Sequence, residues 1–432
     1  MIGQEQRHVI WMAGVPWDSI RGTDWHLASA MTRYARILWV DPPVSPMACA
    51  LRHRSAGRSP GPVLSAIDDQ VARLTPKALP GLARPGVRAA TAALVRSQIR
   101  WAIHQLHIRP FAVVATHLEG PLGCWDRGVV NVLHGTDDYV AGAKLMGLSA
   151  RRQHGQELRM LARADVVTAV SPQLVRRWAG LGVRPALIPN GCWLTDVSAA
   201  AIPPEVRGLP RPVVGLIGQL SERIDLDALE AIASAGFSLL IVGPLDPRWR
   251  QQRFSGLIAR PQVHYAGPVP AEAVPSYLAA VDIGITPYRD TPFNRASFPL
   301  KTLEYLGAGL PVVSADLPAA RWLRADLARG QYAAAADQIL ALARHSGEFA
   351  DAIRRIAPGG SWTTQAGRDP AGRGHYQALV RQRLAFAARH TWPCRAEAFA
   401  SVIGLARPGA RTGARNEGFP AVPGDANTDG SA

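Results

Sequence analysis

Short apolar runs alternate with amphipathic stretches along the first half of the chain. Five runs rich in Val, Ile and Leu lie at 8–14, 36–41, 111–116, 129–133 and 165–171. Unbroken apolar strands of this kind suit a parallel sheet that is covered on both faces. The amphipathic stretches between them predict helices at 23–35, 87–106 and 151–164. The pattern therefore predicts a doubly wound α/β domain.

The same alternation begins again after a polar, proline-rich stretch at 195–212. The second series of apolar runs lies at 213–218, 237–243, 262–267, 282–287 and 311–315, with predicted helices near 225–235, 271–280 and 299–308. Residues 344–374 predict a mobile loop, and residues 376–404 predict a final helix. The predicted organisation is a first domain (1–195), a second domain (210–375), a C-terminal helix (376–405) and a disordered tail (408–432).

Composition narrows the class of protein. The chain has 432 residues, 47% of them hydrophobic, and a formal net charge of +15. It begins without a basic leader and a long apolar run, and its apolar runs are shorter than the roughly 20 residues that cross a bilayer. A soluble cytoplasmic protein is expected.

The positive charge is concentrated in residues 51–110, where ten Lys and Arg face two Asp. One interpretation is a solvated helix face. The other is contact with an anionic surface, such as the inner face of a membrane. Nucleic acid is disfavoured because no nucleic-acid-binding motif accompanies the charge. The arginines concerned are Arg52, Arg54, Arg58, Arg84, Arg88, Arg96 and Arg100.

Glu304 is a carboxylate beside a predicted core stripe. Leu300, Leu303 and Leu306 share one helix face, and Glu304 borders it. A carboxylate in such a place needs a partner. That partner is either Lys301, three residues earlier, or a ligand diol such as a ribose, which two carboxylate oxygens suit.

The residues before this helix are candidates for binding an anion. Pro299 suits the first helical turn, and the backbone amides from Ser297 and Phe298 to Leu300 and Lys301 are available to a diphosphate at the helix amino terminus.

Two glycine-containing loops follow strands of the second series. Gly218 permits a tight turn, and Arg223 stands in the same loop as a cation for an anionic ligand. A surface pair of Arg223 with a neighbouring acid is the alternative. Gly243 shapes a second turn, which we expect to lie close to the first.

His134 directly follows a predicted strand and is expected to project at the carboxyl edge of the sheet. Asp137 and Asp138 follow it, but neighbouring residues point apart, so no metal site is predicted. Trp17, Asp18 and Arg21 lie in the loop after the first strand, where acceptor contact and core packing are both open. The sequence lacks HExxH, Walker and GxGxxG patterns, which disfavours zinc proteases, kinases and dehydrogenases.

These motifs together resemble the GT-B glycosyltransferases of the retaining group called family 4 or group 1. The resemblance is carried by VVGLIGQLSERIDLDAL, LLIVGP, VHYAGPVP and FPLKTLEYLGAGLPVVSADLP, with weaker similarity in HGTDDYV and IPNG, and it covers about residues 8–325. The sequence is most similar to the teichuronic-acid-biosynthesis-like branch.

The resemblance implies two Rossmann-like domains facing a cleft, with a C-terminal helix that crosses back to the first. It implies that the second domain holds a nucleotide sugar, with Glu304 on the ribose and Arg223 on the diphosphate. It also implies that His134 lies near the transferred sugar and that the first domain holds the acceptor. The family often has two glutamates eight residues apart, but Ala296 occupies the first position here.

The expected activity is metal-independent, retaining transfer of a hexose-type sugar from a nucleoside diphosphate to a cell-envelope or lipid-linked glycan acceptor, without a cofactor. Two alternatives stay open: a GT-B sugar-nucleotide epimerase and a non-catalytic nucleotide-sugar-binding protein. The first would convert the donor without any acceptor, and the second would bind nucleotide but transfer nothing.

Overall fold

The computed structural model describes residues 7–44, 61–80, 85–356 and 370–405. The predicted disordered tail and residues 357–369 of the predicted loop at 344–374 lie outside these ranges. So do Arg52, Arg54, Arg58 and Arg84 of the basic segment.

The first domain is built on an eight-stranded sheet. Its strands are β1 His8–Met12, β2 Arg36–Val40, β3 Val63–Ala66, β4 Val71–Thr75, β5 Pro110–Ala115, β6 Val130–Gly135, β7 Val166–Ala169 and β8 Ala186–Leu187. The strand order is β3-β4-β2-β1-β5-β6-β7-β8, and every pair is parallel except β3 with β4. Its helices are α1 Thr23–Met31, α2 Pro85–Gln105, α3 Ala150–Leu161 and α4 Pro172–Ala179.

The second domain contains a six-stranded, all-parallel sheet. Its strands are β9 Val213–Ile217, β10 Ser238–Val242, β11 Val263–Gly267, β12 Ile283–Thr286, β13 Val312–Ala315 and β14 Leu340–Ala343, in the order β11-β10-β9-β12-β13-β14. Its helices are α5 Leu226–Ser234, α6 Gln251–Ile258, α7 Val274–Ala279, α8 Pro292–Ala296, α9 Leu300–Gly307, α10 Pro318–Ala328, α11 Ala336–Ile339, α12 Glu348–Ile356 and α13 Pro370–Ala388. Strands β9, β10, β12 and β13 are buried along their whole length, as expected for a sheet covered on both faces.

The final helix is two helices, which corrects the prediction of one. Helix α13 ends at Ala388, and α14 (Trp392–Val402) begins after a turn. Pro393 lies in the first turn of α14, where its missing amide hydrogen and its ring prevent a helix from continuing through this point.

The break lets the chain change domains. Arg383 of α13 donates to the carbonyl oxygens of Gly309 and Gln338 in the second domain, at 3.2 and 3.0 Å. On α14, the Trp392 ring stacks on His26 at 5.3 Å and the Phe399 ring contacts Trp11 at 5.7 Å. The last helix therefore packs against the first domain, as the GT-B resemblance implied.

Four strands and six α-helices of the described residues were not predicted. Strand β3 is mostly exposed and forms an antiparallel hairpin with β4, so it lacks the apolar run that identifies a buried strand. Asp68 supports its turn by accepting from the backbone amides of Gln70 and Val71. Strands β8 and β14 are short, and helix α12 occupies part of the segment predicted as a loop.

No helix within the described ranges combines the length and the apolar character that crossing a bilayer requires.

Candidate active site in the cleft between the domains

Two turns that contain glycine follow strands β9 and β10 of the second domain. Gly218 follows β9 with φ +155°, and Gly243 follows β10 with φ +136°. A Cβ on Gly243 would lie 2.0 Å from the Gly218 carbonyl oxygen, so the two backbones approach more closely than any side chain allows. The expectation that these two loops lie together is confirmed.

Lys301 and Glu304 lie on the first turns of α9, beside Gly218. Lys301 Cε lies 3.4 Å from the point where a Gly218 Cβ would be. Its Nζ donates to Glu304 Oε2 at 2.5 Å, and each side chain is 29% exposed. Burial lowers the pKa of Lys301, but the Glu304 carboxylate outweighs it and the pKa is raised. The ion pair that the sequence offered as one alternative is present, and the ribose role of Glu304 stays a prediction.

Glu304 also faces the first domain. Burial lowers the pKa of His26 to about 4, and the charge of Glu304 opposes this shift. Burial and the same charge raise the pKa of the Cys192 thiol to about 12. These neighbours put the carboxylate at the boundary between the domains, on the side that an inter-domain ligand would occupy.

Arg223 is held rigidly at the edge of the same face. Its guanidinium carbon lies 5.3 Å from the Tyr288 ring centroid and 4.9 Å from that of Phe293. Its Nε donates to Asn294 Oδ1 at 3.0 Å, while Asn294 Nδ2 donates back to the Arg223 carbonyl oxygen. Arg223 makes these contacts instead of the surface ion pair with Glu222 or Asp225 that was the alternative.

The segment before α9 is anchored from the first domain. The Ala296 carbonyl oxygen accepts from Ser171 Oγ, and the Phe298 carbonyl oxygen accepts from Asn190 Nδ2 at 2.7 Å. Ala296, Ser297 and Phe298 are buried. These bonds cross between the domains and fix where the amino terminus of α9 points.

Two of the amides predicted to receive a diphosphate are unsuitable. The Ser297 amide donates within α8, to the Phe293 carbonyl oxygen at 3.1 Å, and is therefore already used. Pro299 has no amide hydrogen, and it is the N-cap residue of α9 rather than part of its first turn. No side-chain oxygen caps this helix, so Phe298, Leu300 and Lys301 remain as the candidate amides.

Asp137 reaches across the cleft from the first domain. It follows β6, and its Oδ1 accepts from Ser297 Oγ at 3.2 Å. Burial raises the pKa of Asp137, and the charge of Arg223 opposes the shift. Gly142, in the same loop, leaves room for Phe293, since a Cβ there would lie 2.7 Å from that ring. The loop after β6 and helix α8 are therefore packed together.

A second carboxyl group, Asp24, lies behind Asp137. Its Oδ2 accepts from the Gly14 amide at 2.9 Å and from Thr116 Oγ1 at 2.8 Å. Burial raises the pKa of Asp24 to about 6, and the charge of Asp137 adds to the rise. Two carboxyl groups with raised pKa values thus meet at the carboxyl edge of the first sheet.

His134 does not project at the sheet edge, which corrects the sequence-based expectation. It lies within β6, is fully buried, and has Nδ1 2.8 Å from Thr168 Oγ1. Its ring meets Phe399 of α14 edge-on at 5.4 Å. Burial lowers its pKa to about 3. The strand continues one residue beyond His134, so the side chain points into the core under α14.

The other first-domain candidates contact residues of their own domain. The Trp17 ring contacts Trp25 and Trp39 at 5.7 and 5.1 Å, which supports the core-packing alternative. Asp18 pairs with Arg73 at 2.5 Å, and Arg21 stacks over Trp25.

Asp138 turns away from Asp137, as the sequence suggested for neighbouring residues. Its Oδ2 lies 3.0 Å from Arg177 Nε, and its Oδ1 accepts from the amides of Val140 and Ala141. Among the described residues, no three His, Cys, Asp or Glu side chains gather in a way that would hold a metal ion.

The structure thus brings Gly218, Gly243 and Glu304 together with the start of α9, places Arg223 against Phe293 and Asn294 of α8, and buries His134 in the core. Sequence reasoning missed Lys301 as a cation beside the glycine turns, and Asp137 and Asp24 as cleft carboxyl groups. Asp137 follows a predicted strand at the carboxyl edge of the sheet, and this position could have identified it as a candidate site residue.

Comparison with known proteins agrees with this geometry. Residues 211–357 match the family model described as Glycosyl transferases group 1. The chain is 33% identical over 171 residues to a protein named as a teichuronic acid biosynthesis glycosyltransferase, TuaH, of Bacillus subtilis, covering 38% of this chain and 43% of that one. It is 30% identical over 189 residues to a phosphatidyl-myo-inositol mannosyltransferase of Mycobacterium leprae, covering 40% and 48%. The matched part spans less than half the length of either relative.

The likeness in structure extends further than the likeness in sequence. The crystal structure of Anabaena Alr3699/HepE in complex with UDP superimposes with a TM-score of 0.57 at 15% identity, over 93% of this chain and all of that one. The chain therefore has the GT-B fold, and its residues 211–357 match the group 1 glycosyl transferase family model.

Proposed function

We propose that this protein transfers a hexose-type sugar from a nucleoside diphosphate to a hydroxyl group of an acceptor held by the first domain. The observation that carries the proposal is the meeting of Lys301 and the uncapped amino terminus of α9 with the glycine turns, with Arg223 held against the preceding helix α8, in a segment that matches a group 1 family model. Positive groups and helix amides in one place suit a diphosphate.

Bond cleavage at the sugar builds negative charge on the leaving diphosphate. Arg223 is already oriented by two aromatic rings and by Asn294, so it stabilises this charge without reorganising. Lys301 supplies a second cation beside Gly218. Two protein cations and the helix terminus make a metal-independent mechanism the economical one.

Glu304 takes the ribose hydroxyls in this proposal. The carboxylate has two acceptor oxygens, and only Oε2 is engaged by Lys301. Its position at the domain boundary lets one helix bind both parts of a nucleotide: amides at its start for the phosphates, and Glu304 one turn later for the ribose.

Asp137 faces the transferred sugar in this proposal. The first glutamate of the family pattern is Ala296 here, and its burial leaves no space for a carboxylate. Asp137 approaches the next residue, Ser297, from the opposite domain. A carboxyl group at this point accepts hydrogen bonds from sugar hydroxyls, which links sugar binding to closure of the two domains.

The similarity to proteins named as teichuronic acid and phosphatidyl-myo-inositol glycosyltransferases supports a cell-envelope or lipid-linked acceptor. Retention of anomeric configuration is proposed from the family alone.

The test is a screen of UDP, GDP, ADP and TDP sugars for thermal stabilisation, followed by nucleotide release and product analysis with and without EDTA. We expect one base to stabilise the protein and its sugar to be transferred with EDTA present. Conversion of the donor without an acceptor would indicate an epimerase, and binding without turnover would indicate a non-catalytic protein. Either result would overturn the proposed transfer.

A further inference from the structure

A cavity of about 260 Å³ opens at the carboxyl edge of the first sheet. It lies among the ends of β1, β2 and β5 and one face of α2. The strand order reverses at this place, since β2 lies on one side of β1 and β5 on the other. A reversal of this kind opens a crevice, and crevices of this kind bind ligands in α/β proteins. All the residues that line the cavity belong to the first domain, so it is separate from the Arg223 and Glu304 site.

Most of the cavity wall is apolar. Helix α2 contributes the face formed by Arg88, Thr91, Ala92 and Val95, whose spacing puts them on one side of the helix. Met12, Val40 and Leu118 line the wall from the strand ends.

The mouth of the cavity exposes further apolar surface. Met146 and Leu148, from the loop after β6, line the cavity and are 42% and 43% exposed. Large apolar side chains that meet at the opening of a cavity are stabilised when a ligand covers them.

The acid at the inner end of the cavity is saturated by the protein itself. Asp41 Oδ1 accepts from the Trp17 amide at 2.9 Å and from Trp39 Nε1 at 3.0 Å. Its Oδ2 accepts from Arg73 Nε at 2.8 Å and from Thr75 Oγ1 at 2.7 Å. Four donors satisfy this carboxylate, so it needs no partner from a ligand.

Several other polar groups of the lining also have partners within the protein. Glu119 pairs with Arg152 at 2.8 Å and lies 3.8 Å from Arg88. The Tyr139 hydroxyl donates to the Thr116 carbonyl oxygen at 2.9 Å. Apolar walls combined with engaged polar groups favour an apolar occupant over a sugar or an ion.

We propose that this cavity receives an apolar group of the acceptor, of the size of an aromatic ring system or a short alkyl chain. An apolar cavity of about 150 Å³ binds benzene, so this cavity has room for roughly ten carbon atoms. The proposal rests on the proposed function, because it assigns the occupant to the acceptor rather than to the donor.

One edge of the cavity determines the orientation of the acceptor. Gly14 and Tyr139 line it, and the Gly14 amide also donates to Asp24. The charges of Asp24 and Asp137 both raise the pKa of Tyr139, so the cavity borders the two carboxyl groups of the cleft. An acceptor with its apolar group in the cavity leaves its hydroxyl group beside Asp24 and Asp137, facing the donor.

The experiment compares binding of 2-naphthyl β-D-glucoside and methyl β-D-glucoside, measured by calorimetry. These two probes share the sugar and differ in the apolar group. We expect saturable binding of the naphthyl compound at least tenfold tighter than of the methyl compound, since each buried methylene equivalent is worth about threefold to fourfold in affinity. Equal affinities for the two probes would overturn the proposal.

Three variants locate the bound probe. Ala92→Phe fills the cavity and should weaken naphthyl binding at least tenfold, while Ala93→Phe, on the exposed side of the same helix, should leave it unchanged. Val95→Ala enlarges the cavity and should shift the preference of an n-alkyl glucoside series to longer chains. Naphthyl binding that is insensitive to both Ala92→Phe and Val95→Ala would contradict the assignment.

Addition of UDP separates this proposal from the proposed function. Naphthyl glucoside should bind equally well in saturating UDP if it occupies the cavity, and displacement by UDP would overturn the acceptor assignment. If no nucleotide binds at all while naphthyl binding depends on Ala92, the proposed function fails and the apolar site stands.

Discussion

The second domain faces the cleft with charge, whereas the first domain faces it with an apolar cavity and two carboxyl groups, Asp24 and Asp137. On the donor side, Lys301 lies beside glycine turns that only backbone can fill, and Arg223 is held against α8. On the acceptor side, Asp41 and Glu119 are already paired by the protein. The difference indicates that a nucleotide is recognised mainly by electrostatics and an acceptor mainly by shape and apolar contact.

The first test of this contrast prevents the close approach of the Gly218 and Gly243 backbones on the donor side. Gly243→Ala puts a Cβ 2.0 Å from the Gly218 carbonyl oxygen at a positive φ, so we expect loss of the soluble folded protein or a large fall in Tm. Gly256→Ala, in α6 with no atom near its added Cβ, is the matched control and should be neutral or slightly stabilising. Equal behaviour of the two variants in thermal unfolding would contradict the structure of the glycine turns.

The second change removes the charge that the donor side presents. Arg223→Ala should lower kcat/KM for the sugar nucleotide about a hundredfold or more, because hydrogen bonds to a charged group contribute about 1.5 to 3 kcal/mol each. Arg289→Ala, an exposed neighbour, should change kcat/KM little. The diphosphate role of Arg223 would be wrong if both variants retained wild-type kinetics and nucleotide affinity.

The third change concerns Glu304. Glu304→Ala should weaken donor use roughly tenfold to a hundredfold, with the loss appearing in the affinity for UDP as well as for the UDP sugar, because the ribose belongs to both. Glu230→Ala is its control, since Glu230 is also 29% exposed and paired with an Arg, but on α5. Unchanged UDP affinity in a folded Glu304→Ala protein would leave the Lys301 ion pair as the sole role of this residue.

The fourth change separates the sugar from the nucleotide. Asp137→Asn keeps the shape of the side chain and should lower transfer about tenfold, while UDP, which lacks the transferred sugar, should bind as tightly as before. The exposed Asp290→Asn is the control. If UDP affinity and transfer fell together, the role of Asp137 would instead be to position Arg223, whose charge lowers the pKa of Asp137.

The smallest effect is expected from Asp24 and depends on pH. Its pKa is about 6 in the folded protein against 3.8 ordinarily, so the folded state holds the proton more tightly and loses stability as pH rises from about 4 to about 6. Asp24→Asn cannot ionise and should raise Tm by a few degrees above pH 6, with the two proteins converging near pH 4. Thermal unfolding at pH 4, 6 and 8 measures this, and identical pH profiles would argue against a raised pKa.

Local pattern predicted much of the fold and of the donor side. Apolar runs identified the buried strands, and glycines after β9 and β10 identified the turns, because both signals act within a few residues. The hairpin of β3 and β4 was not predicted because its edge strand is exposed. The prediction of a single final helix was wrong because α13 packs on the second domain and α14 on the first, and Pro393 marks the break.

The sequence by itself determined two α/β domains, the glycine turns, and the placing of Arg223 and Glu304 on loops or helices after strands, since backbone chemistry and apolar periodicity are local. Tertiary structure alone decided that His134 is buried under α14, that Asp137 meets Ser297, and that α2 closes a cavity over β1, β2 and β5. Each of these brings together residues distant in sequence, and the packing of one domain or helix on another is set by the summed burial of whole surfaces, which no single motif encodes.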